Sequence, residues 1–210
     1  MTRRLVLASA SPRRRQLLRG AGFAPEVLES DLDDALLSCP GATPDRLVAA
    51  LAWFKVRRVL ERYPDLDAVV LGADTVCVDG DRVLGKPKDE SEARAMLRDL
   101  AGHEHRTLTG VAIVDAAGVR HLFVDTARVE VGPLEDAAID AYVASGAWRG
   151  KAGGYNYIER VEAGWPVACV GDPTSVMGLP MRRTVPLLEE LGVERCRQES
   201  PMSSPSEREP

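Results

Sequence analysis

The sequence predicts a mixed α/β protein, and three features of its 210 residues point to that class. Short apolar runs such as 4–9 and 68–73 are typical of strands that are buried on both faces of a parallel sheet. Segments with helical periodicity alternate with these runs. Two long alternating segments, 103–114 and 119–131, are typical of an antiparallel hairpin. A partly parallel sheet with helices packed against it accounts for all three features.

Strands are predicted wherever a short apolar or alternating run is bounded by turn residues. In chain order they lie at 4–9, 25–29, 68–73, 76–78, 82–84, 103–114, 119–131 and 167–170. The runs 76–78 and 82–84 flank a tight Asp-Gly-Asp turn, which predicts a hairpin. A glycine-containing turn at 116–118 joins the two longest strands.

Helices are predicted at 12–21, 44–63, 89–99, 134–144 and 181–191, with a single helical turn at 173–178. Pro12 and Pro44 each fill a first helical position, where proline lacks no needed N–H and already has a helical φ angle. Thr43 caps the second helix and Pro64 stops it. Asp89 caps the third. The glycine-rich segment 145–164 is predicted to be a loop.

The composition fits one soluble domain over 1–197, followed by a disordered tail at 198–210 that is rich in Ser, Pro, Glu and Arg. The formal net charge of −5 argues against a general nucleic-acid-binding protein. No run is long enough to cross a membrane, and the first apolar stretch, of about six residues, is too short for a secretory signal. We therefore expect a cytoplasmic protein. The cysteines show no zinc-ligand spacing. The histidines His103 and His105 lie two residues apart in a predicted strand, which favours solvated or hydrogen-bonded side chains and leaves a metal pair open.

Two serines and two arginines surround the start of the first predicted helix. Ser9 and Ser11 precede Pro12, and Arg13 and Arg14 occupy the first helical turn. A helix N-terminus attracts negative charge, so cations placed there oppose the helix dipole unless an anion binds between them. The pattern favours a polyphosphate cradle. The residues alone leave a plain strand-to-helix turn with solvated arginines open.

Three charged residues are predicted to face a cleft. Asp74 follows a buried strand, where a carboxylate is costly unless it is paired or bound to a metal; a turn cap is the alternative. Lys86 precedes Pro87, which holds it in an extended conformation. Lys55 has apolar neighbours in the helix that begins at Pro44, and its alternative is a surface lysine with a buried stem.

Residues 7–14 (LASASPRR) resemble the N-terminal signature of the Maf family of nucleoside triphosphate pyrophosphatases. Further short motifs follow in that family's order: ADT at 73–75 with GKP at 85–87, SG at 145–146 with GKAG at 150–153 and Tyr155, and VMGLP at 176–180. The resemblance covers about residues 5–192. No Ser or Thr follows Lys151, so the glycine-rich loop is not a Walker-type P-loop.

The resemblance implies an elongated, two-lobed fold with a central cleft, similar in shape to the inosine-triphosphate pyrophosphatases. It implies hydrolysis of a nucleoside triphosphate to a monophosphate and pyrophosphate with Mg²⁺ or Mn²⁺. Asp74 would be the general base and a metal ligand, with Lys55 and Lys86 as catalytic, phosphate-facing lysines. The substrate-binding residues so implied are Ser11, Arg13, Arg14, Thr75, Lys151 and Tyr155. Members of the family are often dimers, and the sequence leaves the oligomeric state open.

The chain departs from the family pattern at two places. The pair Asp33–Asp34 stands where the family has an acidic pair ending in glutamate, so the expected metal ligand is the shorter Asp34. The family's base-contacting glutamine falls at Ile158, or at Glu159 with a one-residue insertion. If Glu159 contacts the base, its carboxylate accepts hydrogen bonds only and favours base edges that carry donors, such as guanine. We expect selectivity other than strict dTTP/UTP preference.

Two alternatives belong to other functional classes. The chain could be a nucleotide-binding regulator of septation that has lost turnover, which the changes at Asp34 and Glu159 motivate. It could also be a metal-dependent phosphohydrolase that removes a terminal phosphate. The released product separates these hypotheses, because the pyrophosphatase releases pyrophosphate and the phosphohydrolase releases orthophosphate.

Overall fold

The fold is built on a seven-stranded mixed sheet in the computed structural model, which describes residues 3–31 and 41–196. The strands are β1 (Leu5–Leu7), β2 (Glu26–Val27), β3 (Val69–Asp79), β4 (Arg82–Leu84), β5 (Glu104–Val114), β6 (Arg120–Val131) and β7 (Val167–Val170). Their order is β2-β1-β3-β5-β6-β7, with β4 paired to β3. β1 runs parallel to β2 and β3, and the other pairs are antiparallel. The predicted mixed α/β class is confirmed.

The helices are α1 (Pro12–Gly20), α2 (Pro44–Arg62), α3 (Glu90–Leu100), α4 (Asp136–Ala144), α5 (Tyr157–Glu162), α6 (Pro173–Val176) and α7 (Met181–Glu190). The sequence prediction missed α5, which lies inside the expected glycine-rich loop. Asn156 starts this helix, because its side chain accepts a hydrogen bond from the N–H of Ile158. None of the helices in 3–31 and 41–196 is both long and apolar enough to span a membrane.

The strand β3 is longer than predicted. The sequence suggested two strands, 68–73 and 76–78, with a break at Asp74, but pairing with β5 is continuous from Val70 opposite Val114 to Val78 opposite Arg106. The prediction of a break was therefore wrong. Asp74 stays in the strand because its charge is met by a lysine from a neighbouring helix rather than by a turn.

Two hydrophobic clusters divide the long strands between them. One joins β1 and the first part of β3 to α1 and α7, through residues such as Leu7, Leu18 and Leu188. The other joins the last part of β3 to α3 and α4, through residues such as Leu97 and Ile139. The middle of β3 lies between these two clusters, where the expected cleft is found.

Within the described ranges, the edge of β3 that faces away from β5 is paired only at its two ends. β1 pairs with residues 69–71 and β4 with residues 77–79. The edge between them pairs with no strand in the described ranges. Side chains from both faces of the sheet can reach this gap, because no neighbouring strand separates them.

The helix α2 lies directly against the sheet because two glycines face it. A Cβ atom at Gly72 would come within 2.8 Å of the carbonyl oxygen of Ala52, and one at Gly110 would collide with the backbone of Val48 and Ala49. Gly110 pairs with Asp74 across β3 and β5. The absence of side chains at these two positions therefore brings the backbone of α2 next to Asp74.

We predict that Gly110→Ala destabilises the fold, because the added methyl group meets the backbone of α2 rather than a movable side chain. Overpacking of this kind costs about 1–3 kcal/mol or more of unfolding free energy. Gly20→Ala is the matched control, since nothing lies within 4 Å of a Cβ there. Urea unfolding of both variants checks this, and equal stabilities would contradict the packing argument.

Candidate active site

A cavity of about 910 Å³ opens at the gap along the edge of β3. Six parts of the chain form its walls: the turn from β1 into α1, the segment after β2, α2, the middle of β3, the segment around the end of β4, and β5. The loop around Gly178 and the loop before α5 close it. Of the residues implied by the sequence, the structure brings together Ser11, Arg13, Arg14, Lys55, Asp74, Thr75, Lys86 and Tyr155 in this lining.

A buried ion pair forms one wall. The Nζ atom of Lys55 lies 2.6 Å from Oδ1 of Asp74, and both side chains are only 9% exposed. Removing two charges from water costs several kcal/mol per ion, so the direct contact is needed to keep them buried. The carboxylate is thereby held in a fixed orientation at the cavity, and the alternative of a turn-capping Asp74 does not apply.

The N-terminus of α1 points its first turn at the same cavity. Pro12 occupies the first helical position, and Ser11 makes no side-chain cap to the described part of the helix. Ser9 instead accepts a hydrogen bond from the N–H of Ser11, at 3.3 Å. Arg13 is half-buried and lines the cavity, whereas Arg15 is exposed and is not part of the lining. The helix end and Arg13 together present positive charge to the cavity.

Arg14 links three separate elements. Its Nε donates to the carbonyl oxygen of Gly178 at 2.8 Å, Nη1 to Oγ of Ser9 at 3.0 Å, and Nη2 to Oγ1 of Thr75 at 3.2 Å. The residue is only 8% exposed. Gly178 has a φ of 112°, and a Cβ there would sit 3.4 Å from Nε of Arg14, so a glycine keeps this approach open. Arg14 thus fixes the shape of the cradle while lining it.

Sequence reasoning missed the polar face of β5. His105, Thr107 and Thr109 lie at alternate positions of this strand on one face of the sheet, and all three are buried. Thr109 bonds to Thr75 and to the carbonyl oxygen of Ser175. The sequence does carry a signal for this face. Polar residues recur at every second position from 105 to 109, and a strand that is buried only among apolar groups does not need them.

The wall formed by His105, Cys77 and Tyr155 carries no charge at neutral pH. Tyr155 Oη lies 2.8 Å from Nε2 of His105. Burial lowers the pKa of His105 to about 4, against the opposing influence of the negative charge of Asp79. Burial also raises the pKa of Cys77 to about 12 and that of Tyr155 well above its ordinary value. The cavity therefore has one cationic side and one neutral side.

Two of the implied residues lie outside the cavity lining. Lys151 Nζ contacts Oε2 of Glu159 at 2.5 Å, and Asn156 donates to the other carboxylate oxygen of Glu159 at 2.8 Å. The pair joins the loop after Gly150 to α5. Ile158 is likewise absent from the lining, whereas Tyr157 is part of it.

The structure describes only one of the two predicted metal ligands, Asp74. Asp34 falls outside 3–31 and 41–196, the residues described. Within those ranges no group of three or more acidic, histidine or cysteine side chains is arranged to hold a metal. Asp74 and Glu29 are carboxylates in the cavity lining, and Asp31 there is paired with Arg62. This set suits a Mg²⁺-type ion, which commonly takes one or two carboxylates and completes its shell with phosphate oxygens and water.

Comparisons with known proteins give consistent results. The family model described as Maf-like protein matches residues 4–191. The chain is 41% identical over 197 residues to the dTTP/UTP pyrophosphatase of Geobacillus sp. (strain WCH70), covering 90% of this chain and 99% of the relative. It is 43% identical over 188 residues to the dTTP/UTP pyrophosphatase of Salinibacter ruber, covering 85% of this chain and 86% of the relative.

Solved structures with partial likeness were also found. The Staphylococcus aureus Ham1 protein superposes with a TM-score of 0.42 at 15% identity, over 61% of this chain and 71% of that chain. The dITP/XTP pyrophosphatase of Mycobacterium abscessus superposes with a TM-score of 0.39 at 12% identity, over 62% of this chain and 75% of that chain.

We predict that His105 makes the fold acid-sensitive. The unfolded chain binds a proton at this histidine near pH 6.5, whereas the native state does so only near pH 4, so stability is present above pH 6.5 and is lost as the pH falls toward 4. The loss between pH 7.5 and 4.5 should be about 2–3 kcal/mol.

Urea unfolding at both pH values measures this loss. His105→Gln should remove most of the contribution. His103→Gln should retain it, because His103 is exposed. The same acid sensitivity in all three proteins would assign it to other groups.

Proposed function

The chain belongs to the family of Maf-like proteins, and from that premise we propose that it hydrolyses a nucleoside triphosphate between the α and β phosphates. The products are a nucleoside monophosphate and pyrophosphate. Relatives about 41% identical are named dTTP/UTP pyrophosphatases. The observation that carries the proposal is that one cavity contains both the buried Lys55–Asp74 pair and the cationic start of α1.

The phosphate chain binds on the cationic side of the cavity. A nucleoside triphosphate carries about four negative charges, and phosphoryl chemistry of this type depends mainly on positioning and charge neutralisation. Arg13, Arg14 and the N–H groups at the start of α1 take phosphate oxygens, with Ser11 beside them. Lys86, an exposed member of the same lining, adds a further cation for these oxygens.

Asp74 orients the attacking water and accepts its proton. Lys55 holds this carboxylate in place through the 2.6 Å contact and neutralises charge near the α phosphate. Thr75, the next residue in β3, positions Arg14 beside the phosphates. Asp74 and Thr75 can take these separate roles because they are adjacent in β3. They point to opposite faces of the sheet, and both reach the cavity at the gap.

We propose that a divalent cation, Mg²⁺ or Mn²⁺, takes part. Asp74 and Asp34 would hold it, together with phosphate oxygens of the substrate. When bound, the ion neutralises charge on the phosphates and on the leaving pyrophosphate.

The sugar and base occupy the neutral side, next to Tyr155 and His105. dTTP and UTP are the first candidates for the substrate, since these relatives are named dTTP/UTP pyrophosphatases. Lys151 and Glu159 contribute by joining the loop after Gly150 to α5, which brings Tyr157 to the cavity. In this arrangement Glu159 influences base choice through the loop it holds.

The alternative of a regulator without turnover is not favoured. The buried pair and the arginine cradle are intact, and the named relatives are enzymes. The decisive experiment incubates the purified protein with a panel of dTTP, UTP, CTP, GTP and methylated GTP, with and without Mg²⁺ or Mn²⁺, and identifies both products. Pyrophosphate release that depends on the metal supports the proposal, and orthophosphate as the sole inorganic product overturns it.

We predict that Asp74→Asn lowers kcat by about 10²–10⁴-fold while nucleotide binding is retained, because the amide cannot take the proton from water. The control is Asp81→Asn, which changes an exposed carboxylate in the β3–β4 turn and should leave kcat unchanged. Steady-state kinetics and equilibrium nucleotide binding check both. A loss of less than threefold in kcat would remove Asp74 from the chemical step.

We predict that Arg13→Ala weakens triphosphate binding by about 1.5–3 kcal/mol, the range for a hydrogen bond to a charged group. Arg14→Ala should weaken it at least as much, since it also releases Ser9 and Thr75. Arg15→Ala, on the exposed side of the same turn, should have no effect. Titration calorimetry checks this series, and equal small effects at all three positions would indicate that the arginines are merely solvated.

A further inference from the structure

A chain of hydrogen bonds runs from the cavity into the core. Arg14 Nη2 lies 3.2 Å from Oγ1 of Thr75, which lies 2.9 Å from Oγ1 of Thr109. Thr109 in turn lies 2.8 Å from the carbonyl oxygen of Ser175. Arg14 and Thr75 belong to the described lining of the cavity, and Thr109 lies behind them, fully buried at 0% exposure.

The donor and the acceptor of each hydrogen bond in this series are fixed by the groups at its two ends, the guanidinium group of Arg14 and the carbonyl oxygen of Ser175. The carbonyl oxygen of Ser175 can only accept, so the single hydroxyl hydrogen of Thr109 is directed to it. Thr75 must then donate to Thr109, which leaves the lone pairs of Thr75 facing Arg14. The guanidinium group can only donate, and it finds an acceptor at Thr75.

We propose that Thr109 is a positioning residue, which orients the Arg14 guanidinium group toward the phosphates of the substrate through the Thr75 hydroxyl. The inference rests on the proposed function in taking Arg14 to face a polyphosphate. Without an acceptor at Thr109, the Thr75 hydroxyl is no longer directed away from Arg14. Its hydrogen can then turn toward the cation, which weakens one of the three contacts that hold the guanidinium group within the described ranges.

The protein contains another buried threonine that serves as a matched control for the loss of a buried threonine hydroxyl. Thr184 in α7 is also 0% exposed, and its Oγ1 donates to the carbonyl oxygen of Pro180 at 2.8 Å. It belongs to neither the cavity lining nor the hydrogen-bond chain. Thr109→Val and Thr184→Val therefore remove the same group from equally buried sites, but only the first is connected to Arg14.

The experiment measures the dissociation constant for inorganic triphosphate, together with the midpoint of thermal unfolding. Thr109→Val should raise the dissociation constant roughly tenfold, and Thr109→Ser, which keeps the hydroxyl, should restore it. Thr184→Val should lower the unfolding midpoint without changing the dissociation constant. If Thr109→Val does not fold, Thr109→Cys provides the same comparison with Thr109→Ser, because a thiol is only a weak hydrogen-bonding group.

A double-mutant cycle tests the route through Thr75. In the Thr75→Val background, Thr109→Val should cause little further loss of binding. Wild-type affinity in Thr109→Val, equal weakening in Thr109→Ser, or a full additional loss in the Thr75→Val background would each overturn the inference. If the variants behave as expected but the wild type releases no pyrophosphate from any nucleotide, the proposed function fails and the positioning role of Thr109 stands.

Discussion

The backbone contact between α2 and the sheet is the constraint on which the candidate site depends. Gly72 and Gly110 face this helix, and any side chain there would push it away. With the helix at this distance, the Lys55 side chain meets Asp74 directly. The buried pair therefore results from two positions without side chains on neighbouring strands, and the charge of Asp74 is compatible with the middle of a sheet only because this helix is so close.

The cavity arises from an interruption in strand pairing. β1 ends opposite Leu71 and β4 ends opposite Cys77, so the middle of β3 has a neighbour on one edge only within the described ranges. Consecutive side chains of a strand normally point into separate compartments. Here Asp74, facing α2, and Thr75, facing Arg14, both line the same cavity. One strand thus supplies the carboxylate and a member of the anion cradle from adjacent positions.

Much of this arrangement could be predicted from local patterns. Prolines, caps and periodicity identified most helices and strands, because these signals act over a few residues. The short helix α5 was missed because its start depends on one Asn156 side chain in a glycine-rich stretch. The continuity of β3 was missed because the charge of Asp74 is compensated by Lys55, nineteen residues earlier in the chain. The role of Thr109 could not be predicted either, since it depends on a hydrogen bond to Ser175, sixty-six residues away.

The open segment of β3 also bears on whether another chain could add a strand to this sheet. An unpaired strand edge is a template on which another chain can add a strand, and long flat edges promote aggregation. In this fold the unpaired edge is closed at one end by β1 and at the other by β4. Only residues 72–76 lie between the two paired ends, so an incoming strand could pair with at most five residues before it met β1 or β4, which is the lower end of ordinary strand length, about 5–6 residues. The opening that admits a ligand therefore exposes only a short stretch of strand edge, which β1 and β4 prevent from extending.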